Sequence, residues 1–196
     1  MKVLALELSS PVGSIASIND QSERQFLSFP ADRKDSALFF ENLQAIYQPD
    51  APPELIVVGL GPGSYAGVRI AIATALGLRS ATNGKLRGLP SICAIDRKEY
   101  FFISDARRSS FAFAHVVNGA CLEGPLLCNE EGIRKRLANA NGRPIVSTRP
   151  LPQFDGVMVE HPSALRLLEL SMEMNGGDEA TIEPIYLRAP YFTTSR

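Results

Sequence analysis

An apolar strand candidate ending in an acid occurs twice in this chain, at KVLALE (residues 2–7) and at YFFISD (residues 100–105). A turn, a second strand candidate and an Asn-containing turn follow each one. Glu7 and Asp105 stand half of the 196-residue chain apart, and Asn19 and Asn118 keep almost the same offset. A helix candidate and a short strand come next, DSALFFENLQAIYQ with ELIVVGL in the first half and NEEGIRKRLANA with RPIVST in the second, and the order strand–strand–strand–helix–strand–helix is expected in both. A period this long is not that of a solenoid. It predicts two related lobes, each a mixed sheet flanked by helices, with residues 1–97 forming the first lobe and 98–196 a smaller second. A single α+β domain with coincidental spacing is the alternative.

The longest apolar stretch is GLGPGSYAGVRIAIATALGL, residues 59–78. Its opening loop fails three tests for chemistry. A P-loop needs Lys and then Ser or Thr after its last glycine, and here Gly67 is followed by Val68 and Arg69. A dinucleotide fingerprint needs G-x-G-x-x-G, and Gly61, Gly63 and Gly67 are spaced one residue too long. A nucleophile elbow needs glycine two residues either side of its serine, where Ser64 has Pro62 and Ala66. What remains is a strand-to-helix turn, with Ser64 as helix cap. An anion at that helix start is the alternative use.

The helix that follows carries one small-residue stripe at Gly67, Ala71 and Ala75 and another at Ala73, Gly77 and Ala81. Val68, Ile70, Ile72, Leu76 and Leu78 occupy the remaining faces. A helix apolar on nearly every side is buried on nearly every side, and one sheet covers only one of them. A stripe is therefore expected to meet a partner chain, with Phe39, Phe40 and Tyr47 of the preceding helix extending that surface. A fully intramolecular helix pair is the alternative.

Other chemistry has little support. The two histidines, His115 and His161, form no metal-binding spacing. The cysteines, Cys93, Cys121 and Cys128, are odd in number and too far apart for a C-x-x-C pattern, as expected of thiols in a reducing cytosol. Glu7 and Asp105 are the weak candidates for a metal–nucleotide between the lobes; otherwise each closes its strand on the neighbouring turn. Arg107–Arg108 and IRKR (133–136) read as solvated faces. A net charge of −1 lacks the basic excess of a chain that grips nucleic acid itself. The N-terminus is too short in apolar residues for a signal peptide or membrane span, so a cytoplasmic protein is expected.

GPGSYAGVRIAIATALGL closely resembles the Gly-Pro-Gly-Ser-Phe/Tyr-Thr-Gly-Val/Leu-Arg-Ile-Gly segment of the bacterial TsaB (YeaZ) family. LALELSS, ISDARRSS and IEPIYLR fall where that family has similar segments. The resemblance covers most of the chain and marks Gly61, Pro62, Gly63, Ser64, Gly67 and Arg69 as the family motif loop. It implies an α/β fold of the actin/Hsp70-like (ASKHA) type. It also implies a non-catalytic subunit that pairs with a TsaD-like paralogue, which carries the metal and catalytic site. With a TsaE-like ATPase, the pair places threonylcarbamoyl on an adenosine in tRNA.

Pairing would use helices 36–48 and 66–83, through Phe39, Leu43, Tyr47, Gly67, Ile70, Ala71, Thr74, Ala75 and Leu78. By the same resemblance the chain alone binds no cofactor, ADP or ATP sits at the partner interface, tRNA is met only indirectly, and the isolated chain is a homodimer. The departures are Glu7-Leu8 for the usual Asp-Thr, Ala66 for Thr, Ala71 for Gly, Asp35-Ser36 for His-Ser, and a shortened second half. An ATP-dependent kinase or ATPase using the interlobe cleft is the alternative enzyme reading. A peptidase has no metal motif, elbow or Cys–His pair behind it.

Overall fold

The computed structural model describes residues 1–31, 36–174 and 182–187. Asp35 and Arg188 of the family-like segments lie outside these residues.

Among the described residues, ten strands form two sheets. The first holds β1 (Val3–Glu7), β2 (Val12–Ile18), β3 (Arg24–Pro30), β4 (Leu55–Gly59) and β5 (Lys85–Leu89), in the spatial order β3-β2-β1-β4-β5. The second holds β6 (Glu99–Asp105), β7 (Ser110–Val117), β8 (Ala120–Asn129), β9 (Ile145–Ser147) and β10 (Val157–Val159), in the order β8-β7-β6-β9-β10. Adding five to each strand number of the first order yields the second. The senses agree too: β1–β2, β2–β3, β6–β7 and β7–β8 are antiparallel, whereas β1–β4, β4–β5, β6–β9 and β9–β10 are parallel. The repeat seen in the sequence is a repeat of topology.

Parallel strands covered on both faces require continuous apolar runs. In β1, Val3 and Ala5 point into one core cluster and Leu4 and Leu6 into another; Val57 of β4 joins the first, and Ile56 and Val58 the second. Helices α1 (Ala37–Ile46) and α2 (Tyr65–Thr82) cover the second of these faces, α1 over β2 and β3, α2 over β4 and its neighbours. The observed ends of both helices lie within two residues of those expected.

The other face is closed by α4 (Ala164–Glu173), which comes from the second half yet packs on β1, β2 and β4. Its first amide, Ala164 N–H, donates to Ser14 Oγ of β2 at 2.9 Å. At its far end the buried Arg87 of β5 donates from Nη1 to the Ser171 carbonyl at 2.6 Å. Such a contact satisfies one of the carbonyls that every helix end leaves unpaired.

The halves differ in one respect. α3 (Glu130–Leu137) stands between β8 and β9 as α1 stands between β3 and β4, but residues 148–156 join β9 to β10 through turns alone. The helix corresponding to α2 is missing there. The strand–strand–strand–helix–strand–helix order expected of both halves thus holds directly only in the first, since β10 comes between β9 and α4 in the second; β5 and β10 are strands the sequence pattern did not include.

Candidate functional site

The loop Leu60–Ser64 descends from β4, and Gly63 within it and Gly67 of α2 permit close backbone contact. A Cβ on Gly63 would stand 2.1 Å from the Ser9 carbonyl oxygen, and one on Gly67 would stand 2.1 Å from that of Leu8. Both glycines let the loop and the helix head lie directly on the backbone after β1. Ser64 N–H donates to the Ser9 carbonyl at 2.7 Å, and Ser64 Oγ accepts from Gly67 N–H at 3.3 Å, capping α2.

α2 has one sealed side and one open side. Val68, Ala71, Ile72 and Ala75 are buried against the chain's own sheet, together with Phe39 and Leu43 of α1. Of the residues expected to meet a partner, Phe39, Leu43, Ala71 and Ala75 are therefore spent inside this chain. Tyr47, Gly67, Ile70, Thr74 and Leu78 are half-buried at the flanks. The open side carries Tyr65, Ala66, Arg69, Ala73, Leu76, Gly77, Ser80 and Ala81. It thus presents the second small-residue stripe, Ala73–Gly77–Ala81. Nothing lies within 4 Å of where a Cβ on Gly77 would stand. On α1, Leu38 and Phe40 are exposed at 38% and 49%.

The second candidate region is the cleft between the sheets, about 220 Å³ in volume. Ser9, Ser10, Pro62, Gly63 and Ser64 line it from the first half, and Ser104, Asp105, Ser147, Thr148 and Arg149 from the second. Glu7 does not reach it. Its side chain is fully buried, Oε1 accepts from Ser9 N–H at 2.6 Å, and Oε2 has no hydrogen-bond partner among the described residues. Gly59 makes room for that carboxyl, since a Cβ there would stand 1.9 Å from Oε2. Burial pushes the Glu7 carboxyl above its ordinary range, and the neighbouring Ser9 and Ser91 offset only part of this. Asp105 is exposed at the cleft and accepts from Arg107 N–H through Oδ1 at 2.6 Å.

The remaining polar candidates lie outside this cleft lining. His115 lies in β7 with Nε2 2.9 Å from Glu99 Oε1, a carboxylate that also takes Arg143. His161 follows β10, and burial lowers its pKa. All three cysteines are free thiols, and burial pushes Cys93 up to about 12. Arg134 and Lys135 of α3 pair with Glu130 and Glu131 one turn earlier. Among the described residues, no group of three or more His, Cys, Asp or Glu is placed to hold a metal ion, and no helix is long and apolar enough to cross a membrane. Arg69 of the motif loop meets Tyr186, 117 positions away, a contact that no local sequence pattern shows.

The duplicated sheet order, with helices on the outer face of the first sheet and a cleft between the two, defines an α/β protein of the actin/Hsp70-like class. Within that class the chain is TsaB/YeaZ-like in fold. It is similar to YeaZ from Pseudomonas aeruginosa, with a TM-score of 0.73 and 18% identity over 95% of this chain and 100% of that one. It is equally similar, at TM-score 0.73 and 21% identity over 95% and 99%, to an uncharacterized protein described as having similarity to peptidase YeaZ from Pseudomonas aeruginosa. No protein-family model and no curated protein sequence matches the chain.

Proposed function

We propose that this chain is a non-catalytic, TsaB-like subunit that docks a TsaD-like paralogue and so supports threonylcarbamoyl modification of a tRNA adenosine. A TsaE-like ATPase would be the third component. The observation that carries this reading is the open side of α2. An 18-residue helix already sealed on its own sheet still presents Ala73, Leu76 and Gly77 to solvent, with Leu38 and Phe40 exposed on the neighbouring α1. Exposed apolar surface of this kind marks interaction sites, and residues without bulk let another helix approach closely. The fold shared with YeaZ supports the same reading.

On this reading the isolated chain binds no nucleotide, and ADP or ATP belongs to the partner interface. It works in the cytoplasm, pairs with itself when alone, and leaves tRNA to the complex, in keeping with its net charge of −1. Light scattering on the chain alone and mixed with the TsaD-like protein of the same organism tests the proposal. The expected result is a one-to-one complex that Ala73→Glu abolishes. No complex, together with no modification in reconstitution, overturns it.

The cleft supports a second reading, an ATP-dependent kinase or ATPase with Asp105 and Arg149 beside the phosphates. The inward turn of Glu7 weighs against it, since among the described residues no acid of the first half lines the cleft. Calorimetry with ATP and magnesium that shows no heat of binding removes it.

A further inference from the structure

The C-terminal segment Ile182–Leu187 lies across the head of α2. Ile182 is buried in the core that holds Val68 and Leu86, and Ile185 N–H donates to the Leu60 carbonyl at 2.8 Å. The next residue, Tyr186, turns outward. Its ring stacks on that of Tyr65, with centroids 5.4 Å apart and planes inclined at 29°, and its hydroxyl oxygen accepts from Arg69 Nε at 2.7 Å. The Arg69 guanidinium in turn lies 4.0 Å over the Tyr65 ring centroid.

This cluster is poor core material: Tyr65 and Tyr186 are 51% and 39% exposed, and Arg69 is exposed as well. Its composition is that of an interface anchor, because tyrosine and arginine carry a disproportionate share of binding energy. Binding normally costs roughly 0.5–1.5 kcal/mol for each flexible side chain it immobilises. Here stacking and the Arg69–Tyr186 hydrogen bond have ordered three such side chains beforehand.

Placement ties the cluster to the open side of α2. Tyr65 and Arg69 lie one turn apart, and the same row continues through Ala73 to Leu76 and Gly77. Charge narrows the occupant. α2 contains two arginines, Arg69 and Arg79, and no acidic residue. An arginine fork matches a carboxylate in geometry as well as charge.

We propose that Tyr65, Arg69 and Tyr186 form the anchor of the docking face, and that the partner's surface sets an apolar helix against Ala73 and Gly77 and a carboxylate against Arg69. The inference rests on the docking-subunit reading above. It makes the face composite, with the C-terminal segment a working part of it.

Calorimetry and light scattering with the TsaD-like protein of the same organism test it, on wild type, Tyr186→Ala, Tyr186→Phe and Arg69→Glu. Each variant's thermal midpoint is recorded alongside. Tyr186→Ala and Arg69→Glu should each weaken the complex at least tenfold while the midpoint moves by only a few degrees. Tyr186→Phe, which keeps the stack and loses the oxygen, should weaken it less. Should Tyr186→Ala not fold, Arg69→Glu on the exposed helix surface decides alone. Wild-type affinity in Tyr186→Ala and Arg69→Glu, with Ala73→Glu still abolishing binding, overturns the anchor and leaves the docking reading standing. Self-association that Tyr186→Ala abolishes, without binding of the TsaD-like protein, overturns the partner named here in favour of a second copy. Absence of either association overturns both.

Discussion

Glu7 and Asp105 close equivalent strands with the same contact: in each, a carboxylate oxygen accepts the backbone N–H two residues on, Ser9 and Arg107, at 2.6 Å. The two repeats thus keep one strand-ending device although one acid is fully buried and the other faces the cleft.

That difference in burial has a pH signature. Burial raises the Glu7 pKa above the ordinary carboxyl value of 4.5. The stabilising contribution is complete below that value, where Glu7 is protonated folded and unfolded, and is lost as pH rises through the raised folded value. Glu7→Gln keeps an oxygen for Ser9 and removes the ionisation. It should flatten this dependence and stabilise the protein at pH 8 by about 1–2 kcal/mol, the order of an unsatisfied buried polar group. Urea unfolding at pH 5 and pH 8 measures it; equal pH slopes in the two proteins would refute the assignment.

Gly63→Ala and Gly67→Ala drive a methyl group into the Ser9 or Leu8 carbonyl, which as backbone has little room to move. Each should cost about 2–3 kcal/mol, the upper range for overpacking. Gly77→Ala meets nothing and should stabilise α2 by roughly 0.5–1 kcal/mol. Thermal unfolding of the three variants gives the comparison, and a cost at Gly77 equal to that at Gly63 would contradict it.

The two small-residue stripes of α2 should separate folding from binding. Ala71 is 0% exposed, so Ala71→Glu buries a charge and should abolish folding or cost more than about 4 kcal/mol. Ala73→Glu should leave the thermal midpoint within a few degrees and remove partner binding. Circular dichroism melts alongside light scattering read both effects, and a folded, binding-competent Ala71→Glu protein would reverse the orientation assigned to the helix.

Arg87 joins β5 to the end of α4. Arg87→Ala removes a charge-assisted bond to the Ser171 carbonyl and the packing of a buried side chain, and should cost about 2–3 kcal/mol. Hydrogen exchange should quicken at the C-terminal turn of α4 and stay unchanged at β7; uniform quickening would mean that the bond holds nothing local.

Much of this was legible in the sequence, for identifiable reasons. β1 and β4 show as unbroken apolar runs because both of their faces are covered, and α2 shows by its length and its Ser64 cap. β5 does not, since Lys85 and Arg87 interrupt Leu86 and Leu89; Arg87 lies in the interior, where it donates to the Ser171 carbonyl of α4. The packing of α4 on the sheet of the other half is a relation between distant segments, and no local pattern carries it. Nor can periodicity choose between Gly67–Ala71–Ala75 and Ala73–Gly77–Ala81, which are equally small. The sheet settles that choice by covering the first. The contact of Tyr186 with Tyr65 and Arg69 is likewise a relation between distant segments, although IEPIYLR marks the segment that holds Tyr186.

The turns at residues 148–156, where the first repeat has α2, set a limit on stoichiometry. A duplicated chain with the same docking helix on both halves would own two like surfaces, and copies could add end to end without closing. Here, among the described residues, only the first half carries that helix. On the docking reading proposed above, an assembly built through that helix ends at a pair, because the turns of the second half offer no like surface for a further copy.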